Sequence, residues 1–232
     1  MAVHPDFRGR GLIKHVAHPV YEMVKARGGV AGVGFSNAAG VRADRRSRTY
    51  GYQVVGRMVS SGAWLSDVRR APLLELSDTL DVSLCADGFS APGGIHFEQT
   101  PLSLYHRYRC HPFRRYRFGI WREGEQVCGV VVYRPVARFG IRAMALLGAH
   151  SVDLPELLRR WAATIRRAGV SFAHLLTSPD APMRAALARI EPCIALPRSR
   201  TPFYLTVKPL TDAFPLELMD FARWDCMGGD VL

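Results

Sequence analysis

The stretch of this chain best suited to chemistry is Val3-His4-Pro5-Asp6-Phe7-Arg8-Gly9-Arg10-Gly11-Leu12. A short apolar stub ends at Pro5, glycines alternate with arginines, and an apolar-periodic segment opens at Leu12. The first N–H groups of such a helix lack internal partners, and together with the helix dipole they attract anions. Gly9 and Gly11 let the backbone approach a phosphate without a Cβ in the way, and Arg8 and Arg10 add charge. The chemistry implied is pyrophosphate binding without nucleotide hydrolysis, because no G-x-x-x-x-G-K-[ST] element exists. Gly32-Val33-Gly34-Phe35-Ser36-Asn37 begins like a dinucleotide loop but lacks its last glycine and falls within an apolar run. Taken alone, the Arg8–Gly11 run reads more simply as a surface turn with solvated arginines.

Other reactive residue types carry less. His15, His18 and Glu22 could share one helix face, but Pro19 disturbs the closing geometry a metal needs, so a solvated face is expected. Arg42, Arg45, Arg46 and Arg48 could hold a phosphate or RNA, and a solvated basic face is the default. Cys110, His111 and Pro112 read as a helix end. No G-x-S-x-G element, zinc pairing or RNA-binding aromatic signature is present.

Composition bounds the rest. The chain has 232 residues and a formal net charge of +11, nearly all of it arginine, since Lys14, Lys25 and Lys208 are the only lysines. A basic surface attracts phosphates of any kind, and charge speaks to association rather than fold. Cys85, Cys110, Cys128, Cys193 and Cys226 are scattered, odd in number and never in a C-x-x-C pair, which fits free thiols in a reducing compartment. No apolar run approaches the ~20 residues of a membrane span, and the N-terminus lacks a signal layout. A cytoplasmic location without membrane association is expected.

The elements that must position these residues follow from periodicity. A helix is predicted over 12–27, with Leu12, Val16, Val20 and Met23 on one face and Ile13 and Val24 beside it, kinked or split at Pro19 and stopped by Gly28 and Gly29. Strands are predicted over 30–35 and 52–60, with a short basic helix between them. Residues 71–81 carry some helical spacing, and the glycines and proline of 86–94 suggest a domain boundary. Beyond it come a helix at 101–110, a hairpin over 117–134, a strand at 141–148 and a helix capped by Ser151 or Asp153 and ended by Gly169. A strand at 172–176, a helix at 181–190 and strands at 193–196 and 203–207 complete a mixed α/β order. Val24–Val30 and Ile165–Val170 both read helix, glycine, strand, which suggests a diverged duplication.

Context changes the reading of the loop. Arg8, Gly11 and Val3-His4-Pro5 resemble the acetyl-CoA loop of the GNAT N-acetyltransferases, [RQ]-x-x-G-x-[GA] after a strand ending V-x-P; Ile13 replaces the usual small residue. Gly34-Phe35-Ser36-Asn37 resembles the G-F-P-N of one GNAT subgroup, and Gly51-Tyr52-Gln53-Val54-Val55-Gly56-Arg57 its G-[FW]-x-x-x-G-R strand. His106 to Pro112 and Trp224 to Asp230 resemble that subgroup's second, degenerate GNAT-like domain more weakly.

The resemblance implies an α/β fold of acyl-CoA N-acyltransferase type. It places the C-terminal half of a GNAT domain at 1–60, a linker at 61–95 and a GNAT-like domain at 96–232. The first domain would then be N-terminally truncated, because the family has two helices and three strands ahead of V-x-P. Acetyl-CoA is the implied cosubstrate and an unidentified primary amine the acceptor, with no metal. Val3, Arg8, Gly9, Arg10, Gly11, Leu12, Ile13 and Asn37 are the implied cofactor-binding residues, and the pantetheine would lie between splayed parallel strands 1–3 and 33–35. Ser47 stands where the family's acid tyrosine is usual and Tyr50 is displaced from it, so no catalytic residue is assigned. His150 to Leu154 replaces the loop in the second copy, which is not expected to bind CoA in the same way. A non-catalytic GNAT-like interaction module is the alternative. Nucleic acid is disfavoured, and an exposed sheet edge would invite a homo-oligomer.

Overall fold

The computed structural model describes residues 6, 10, 12–47, 51–66, 71–79, 94–97, 101–111, 113–138, 140–196 and 202–231. They fall into two compact units. One comprises 1–57 and 200–221, the other 58–199 and 222–232. The mixed α/β class expected from the element order is found.

In the first unit, α1 (Leu12–Ala26) is followed by β1 (Ala31–Asn37), α2 (Ala38–Ser47) and β2 (Gln53–Arg57). β1 and β2 do not pair with each other. A strand from far along the sequence, here β11 (Phe203–Pro209), lies antiparallel between them. Val33 faces Val207 across one ladder and Gln53 faces Val207 across the other. Leu205, Thr206 and Val207 are consequently buried, and the Thr206 hydroxyl donates to the Gly34 carbonyl at 3.1 Å.

One expectation for α1 is corrected. The helix runs unbroken through Pro19. Proline costs one N–H, and the His15 carbonyl it orphans lies on an exposed turn where water can serve it. The apolar stripe of Leu12, Val16, Val20 and Met23 is not buried but 40–61% exposed. Ala17, Tyr21 and Val24 are the half-buried positions instead. Tyr21 ties the helix to its unit: its hydroxyl donates to that of Tyr52 at 3.3 Å, and the Lys208 ammonium sits 4.2 Å from its ring centroid.

The second unit contains β3 (Val59–Trp64), β4 (Glu75–Ser77) and β5 (Ile95–His96). Then come α3 (Pro101–Leu104), which continues into a π-helical turn Tyr105–Arg109, and strands β6 (Arg117–Glu123), β7 (Gln126–Arg138) and β8 (Ile141–Ser151). α4 (Leu154–Arg167), β9 (Phe172–Thr177), α5 (Pro182–Ala188), β10 (Cys193–Ala195) and β12 (Trp224–Asp225) complete it. Seven strands form one sheet in the order β10-β3-β9-β8-β7-β6-β4. The segment read as a linker at 61–95 therefore supplies sheet strands, and the helical spacing of 71–81 is overridden: 75–77 pair with 118–120 of β6. The unit boundary falls at Arg57–Met58 rather than near 86–94. The expected strand 52–60 is divided there into β2 and β3.

The two units share one wiring. In each, a helix ends in a left-handed glycine, Gly28 (φ 83°) or Gly169 (φ 80°). The next residue's N–H then bonds back five residues, Gly29 to the Val24 carbonyl and Val170 to that of Ile165. A strand, a second helix and another strand follow. β3 runs antiparallel between β9 and β10 as β11 does between β1 and β2. Each inserted strand comes from sequence adjoining the other unit.

The main core lies between the large sheet and α4 with α5. Leu157, Leu158, Trp161 and Ile165 of α4 and Met183 and Leu187 of α5 are buried there. Asp153 caps α4 by accepting from the Glu156 N–H at 3.1 Å. A buried carboxylate anchors the end of β3: Glu191 accepts from the Ser66 N–H at 3.0 Å and from its hydroxyl at 2.9 Å. At the end of β8, His150 is buried and its Nε2 has no hydrogen-bond partner. Burial, and secondarily the charge of Arg107, push its pKa down to about 4.

Three outcomes test this architecture. Val207→Pro removes a ladder N–H between two strands and should cost about 3 kcal/mol or more; amide exchange should then lose protection in β1 and β2 while the large sheet keeps its own. Glu191→Ala leaves the Ser66 donors unsatisfied and should cost about 3 kcal/mol in a denaturant titration. For His150, the folded pKa lies below the ordinary 6.5, so the unfolded chain takes up a proton that the folded chain refuses. Its contribution is intact above pH 6.5, declines as pH falls towards 4, and amounts to about 3 kcal/mol at 1.36 kcal/mol per unit. The stability-against-pH curve of His150→Gln should be flatter than the parent's across that window.

Candidate functional site

The expected cofactor-binding residues meet the structure unevenly. Val3, Arg8, Gly9 and Gly11 lie outside the described residues, as does the side chain of Ile13. Arg10 is exposed and Leu12, also exposed, is the first residue of α1. The glycine–arginine run thus immediately precedes a helix of 15 residues, long enough to carry a dipole. No acidic residue lies in the first turn of α1 to oppose an anion.

Asn37 ends β1, and its Oδ1 accepts from the Gly40 N–H at 2.9 Å. That bond satisfies one of the orphan donors opening α2, so this side chain is already used as a helix cap. Gly34, the first residue of the G-F-S-N run, has open space where a Cβ would stand. Gly32 is different: a Cβ there would meet the Tyr52 hydroxyl at 3.1 Å. Gly56, of the third matching stretch, is required by packing, because a Cβ would overlap the Phe221 ring. Ser47, in the place of the usual acid, is the last residue of α2. Arg42 of the basic run is exposed on α2.

The same framework in the second unit can be followed completely. β8 and β9 are parallel but pair only over Met144–Leu146 and Ala173–Leu175. Beside that point β8 carries a bulge, with the β7 ladder stepping from Gly148 to Leu146 between Val132 and Tyr133. Beyond it the two strands part, and residues of the chain's own end stand between them. Thr177 bridges Met227, the Ser178 N–H donates to the Cys226 carbonyl at 2.9 Å, and the Ser178 hydroxyl donates to that of Trp224 at 2.6 Å. A Cβ on Gly228 would lie 3.4 Å from Leu147 Cδ2 and 3.5 Å from the Leu176 carbonyl oxygen. One on Gly229 would overlap the Tyr108 hydroxyl. Glycines let this segment fill the divergence. The sequence pointed to 224–230 without giving this place, and the Gly228-Gly229 pair was the signal that could have done so.

Among the described residues no three His, Cys, Asp or Glu side chains are arranged to hold a metal. Nor is any described helix long and apolar enough to cross a membrane.

No protein-family model matches the chain, and no curated protein matches it in sequence. Solved structures do match. A GCN5-related N-acetyltransferase from Anabaena variabilis superposes with a TM-score of 0.61 at 10% identity, over 94% of this chain and 55% of its own. One from Kribbella flavida gives 0.55 at 15% identity, over 90% of this chain and 51% of its own. A conserved protein from Enterococcus faecalis described as a probable N-acyltransferase gives 0.54 at 13%, over 90% and 53%. The chain spans about half the length of these proteins. Parallel strands that separate beside a bulge, with an antiparallel strand wedged into the sheet, fit that likeness: the fold of this chain is that of the GCN5-related N-acetyltransferases.

Proposed function

We propose that this chain is part of an N-acyltransferase that moves an acetyl group from acetyl-CoA to a primary amine, with the cosubstrate held by the first unit. One observation carries the reading: in a chain of this fold, the glycine–arginine run of 8–11 stands directly ahead of α1. Backbone amides there would take the pyrophosphate, and Arg8 and Arg10 would add charge to the same phosphates. The amine nitrogen attacks the thioester carbonyl and loses a proton to a base, the C–S bond breaks, and the departing thiolate takes a proton. With Ser47 in place of the family's tyrosine, that proton comes from another donor. The second unit acts as a GNAT-like companion, since residues 226–229 already occupy the divergence of β8 and β9.

That filled divergence, together with Ser47, also favours a second reading, in which the chain keeps the fold as an interaction module without turnover. Isothermal titration with acetyl-CoA separates the two. The acyltransferase reading expects one site in the native chain, weakened at least tenfold by Arg8→Ala combined with Gly11→Asp. Absence of heat, together with a melting temperature unmoved by acetyl-CoA, supports the interaction module.

A further inference from the structure

The second unit contains a cavity of about 730 Å³ that the acyl-transfer reading does not use. It is walled by the π-helical turn, the residues leading into β6, the end of β4 and Pro135 of β7. Among the described residues, four arginines line it, Arg109, Arg114, Arg115 and Arg117, with one carboxylate, Asp78. That carboxylate compensates little. It lies 3.9 Å from Arg117 with both side chains more than half exposed. Arg134, beside Pro135 on β7, adds a fifth positive charge close by. Its Nε is buried without a hydrogen-bond partner, and burial followed by the Arg114 charge lowers its pKa. Concave like-charge crowding of this kind repels itself until an anion enters.

The second feature of the cavity is aromatic. Tyr108, Tyr116, His111 and Phe113 form a chain of ring contacts, with centroids 5.1 Å apart for Tyr108–Tyr116, 5.7 Å for His111–Tyr116 and 6.5 Å for His111–Phe113. His111 is fixed in place, because its Nδ1 accepts from the Phe113 and Arg114 N–H groups at 3.2 and 3.1 Å. Phe113 ends the chain 91% exposed, an unusual position for a phenyl ring. The Tyr116 ring is buried, and burial raises the pKa of its hydroxyl although the Arg114 guanidinium beside it acts in the opposite direction.

Arginines read phosphate oxygens through forked donors, and aromatic faces or guanidinium planes stack flat rings. The cavity volume falls within the range of about 300–1,000 Å³ usual for small-ligand sites. We infer that this cavity is a binding site for a nucleoside phosphate, its phosphates against Arg109, Arg114, Arg115 and Arg117 and its base against the Phe113–His111 end of the aromatic chain. The site stands independently of the acetyl-CoA reading, whose residues all lie in the first unit.

ADP, adenosine and inorganic pyrophosphate are the probes, titrated calorimetrically into the full chain. ADP should bind with one-to-one stoichiometry, pyrophosphate more weakly and adenosine more weakly still. Arg114→Gln with Arg115→Gln should lower ADP affinity at least tenfold, and Phe113→Ala should weaken ADP while leaving pyrophosphate unchanged. These three side chains are exposed, so an unchanged melting curve would show that the variants fold. The Arg8→Ala, Gly11→Asp chain should bind ADP normally; loss there, with the pocket variants silent, would assign the binding to the first unit and overturn the proposal. No ADP binding overturns it too, as does equal affinity for pyrophosphate and ADP with Phe113→Ala inert. Affinity for a single-stranded RNA that rises with its length and far exceeds that for ADP would replace the small ligand with a polymer.

Discussion

An antiparallel strand wedged between two parallel ones satisfies backbone groups on both sides at once, and in this chain both such strands are borrowed. β11 joins β1 to β2, and β3 joins β9 to β10. Without β11, β1 and β2 would each present an unpaired edge, a state that β-structure in water does not sustain. The first unit depends on this most, because its buried residues are few and several belong to the inserted strand itself: Leu205, Thr206 and Val207. The hydrogen-bond ladders of residues 203–209 hold together a sheet whose other strands lie about 150 positions earlier in sequence. Those strands follow α1 and α2, so the placement of both helices depends on the same ladders.

The second unit shows what the same wiring does when it is filled. Its sheet parts where β8 leaves β9, and the gap accepts residues 226–229 in extended contact with backbone on both sides. Two glycines make that approach sterically feasible, and the Ser178 hydroxyl, donating to one carbonyl and accepting from the Cys226 N–H at 3.1 Å, pins the segment. A divergence between parallel strands can thus serve either as a binding slot or as an internal joint. Which it becomes depends on whether a segment of chain reaches it.

Charge follows a comparable logic. The net charge of +11 is not a uniform coat. Some arginines are neutralised locally, as where Glu156 holds both Arg159 and Arg160 and the latter lies 4.6 Å over the Trp121 ring. Around the π-helical turn, among the described residues, four arginines face one cavity with one exposed aspartate. Composition announced positive charge, and the fold gathers part of it around one cavity.

Much of the element order was legible in the residues. The cap at Asp153, the stop at Gly169 and the stripe through Leu158, Trp161 and Ile165 gave α4, and turn residues gave the β6–β7 hairpin, because such signals act within a few positions. The repeated helix–glycine–strand reading of Val24–Val30 and Ile165–Val170 matches the shared wiring, since the same left-handed glycine ends both helices. What periodicity could not supply was burial. Leu12, Val16, Val20 and Met23 have helical spacing, yet spacing marks a face without naming what covers it, and that face is bare. Residues 71–81 carried some helical spacing, yet 75–77 became extended because an edge of β6 was there to pair with them. Asn37 looked free for a cofactor until the start of α2 engaged it. The sequence by itself therefore determined the local elements and the position of a glycine–arginine run directly ahead of α1. The tertiary structure alone decided the exchange of β3 and β11, the filling of the β8–β9 divergence and the gathering of four arginines. Those outcomes depend on contacts between residues a hundred or more positions apart, or on which of several cationic and apolar groups end up facing the same space.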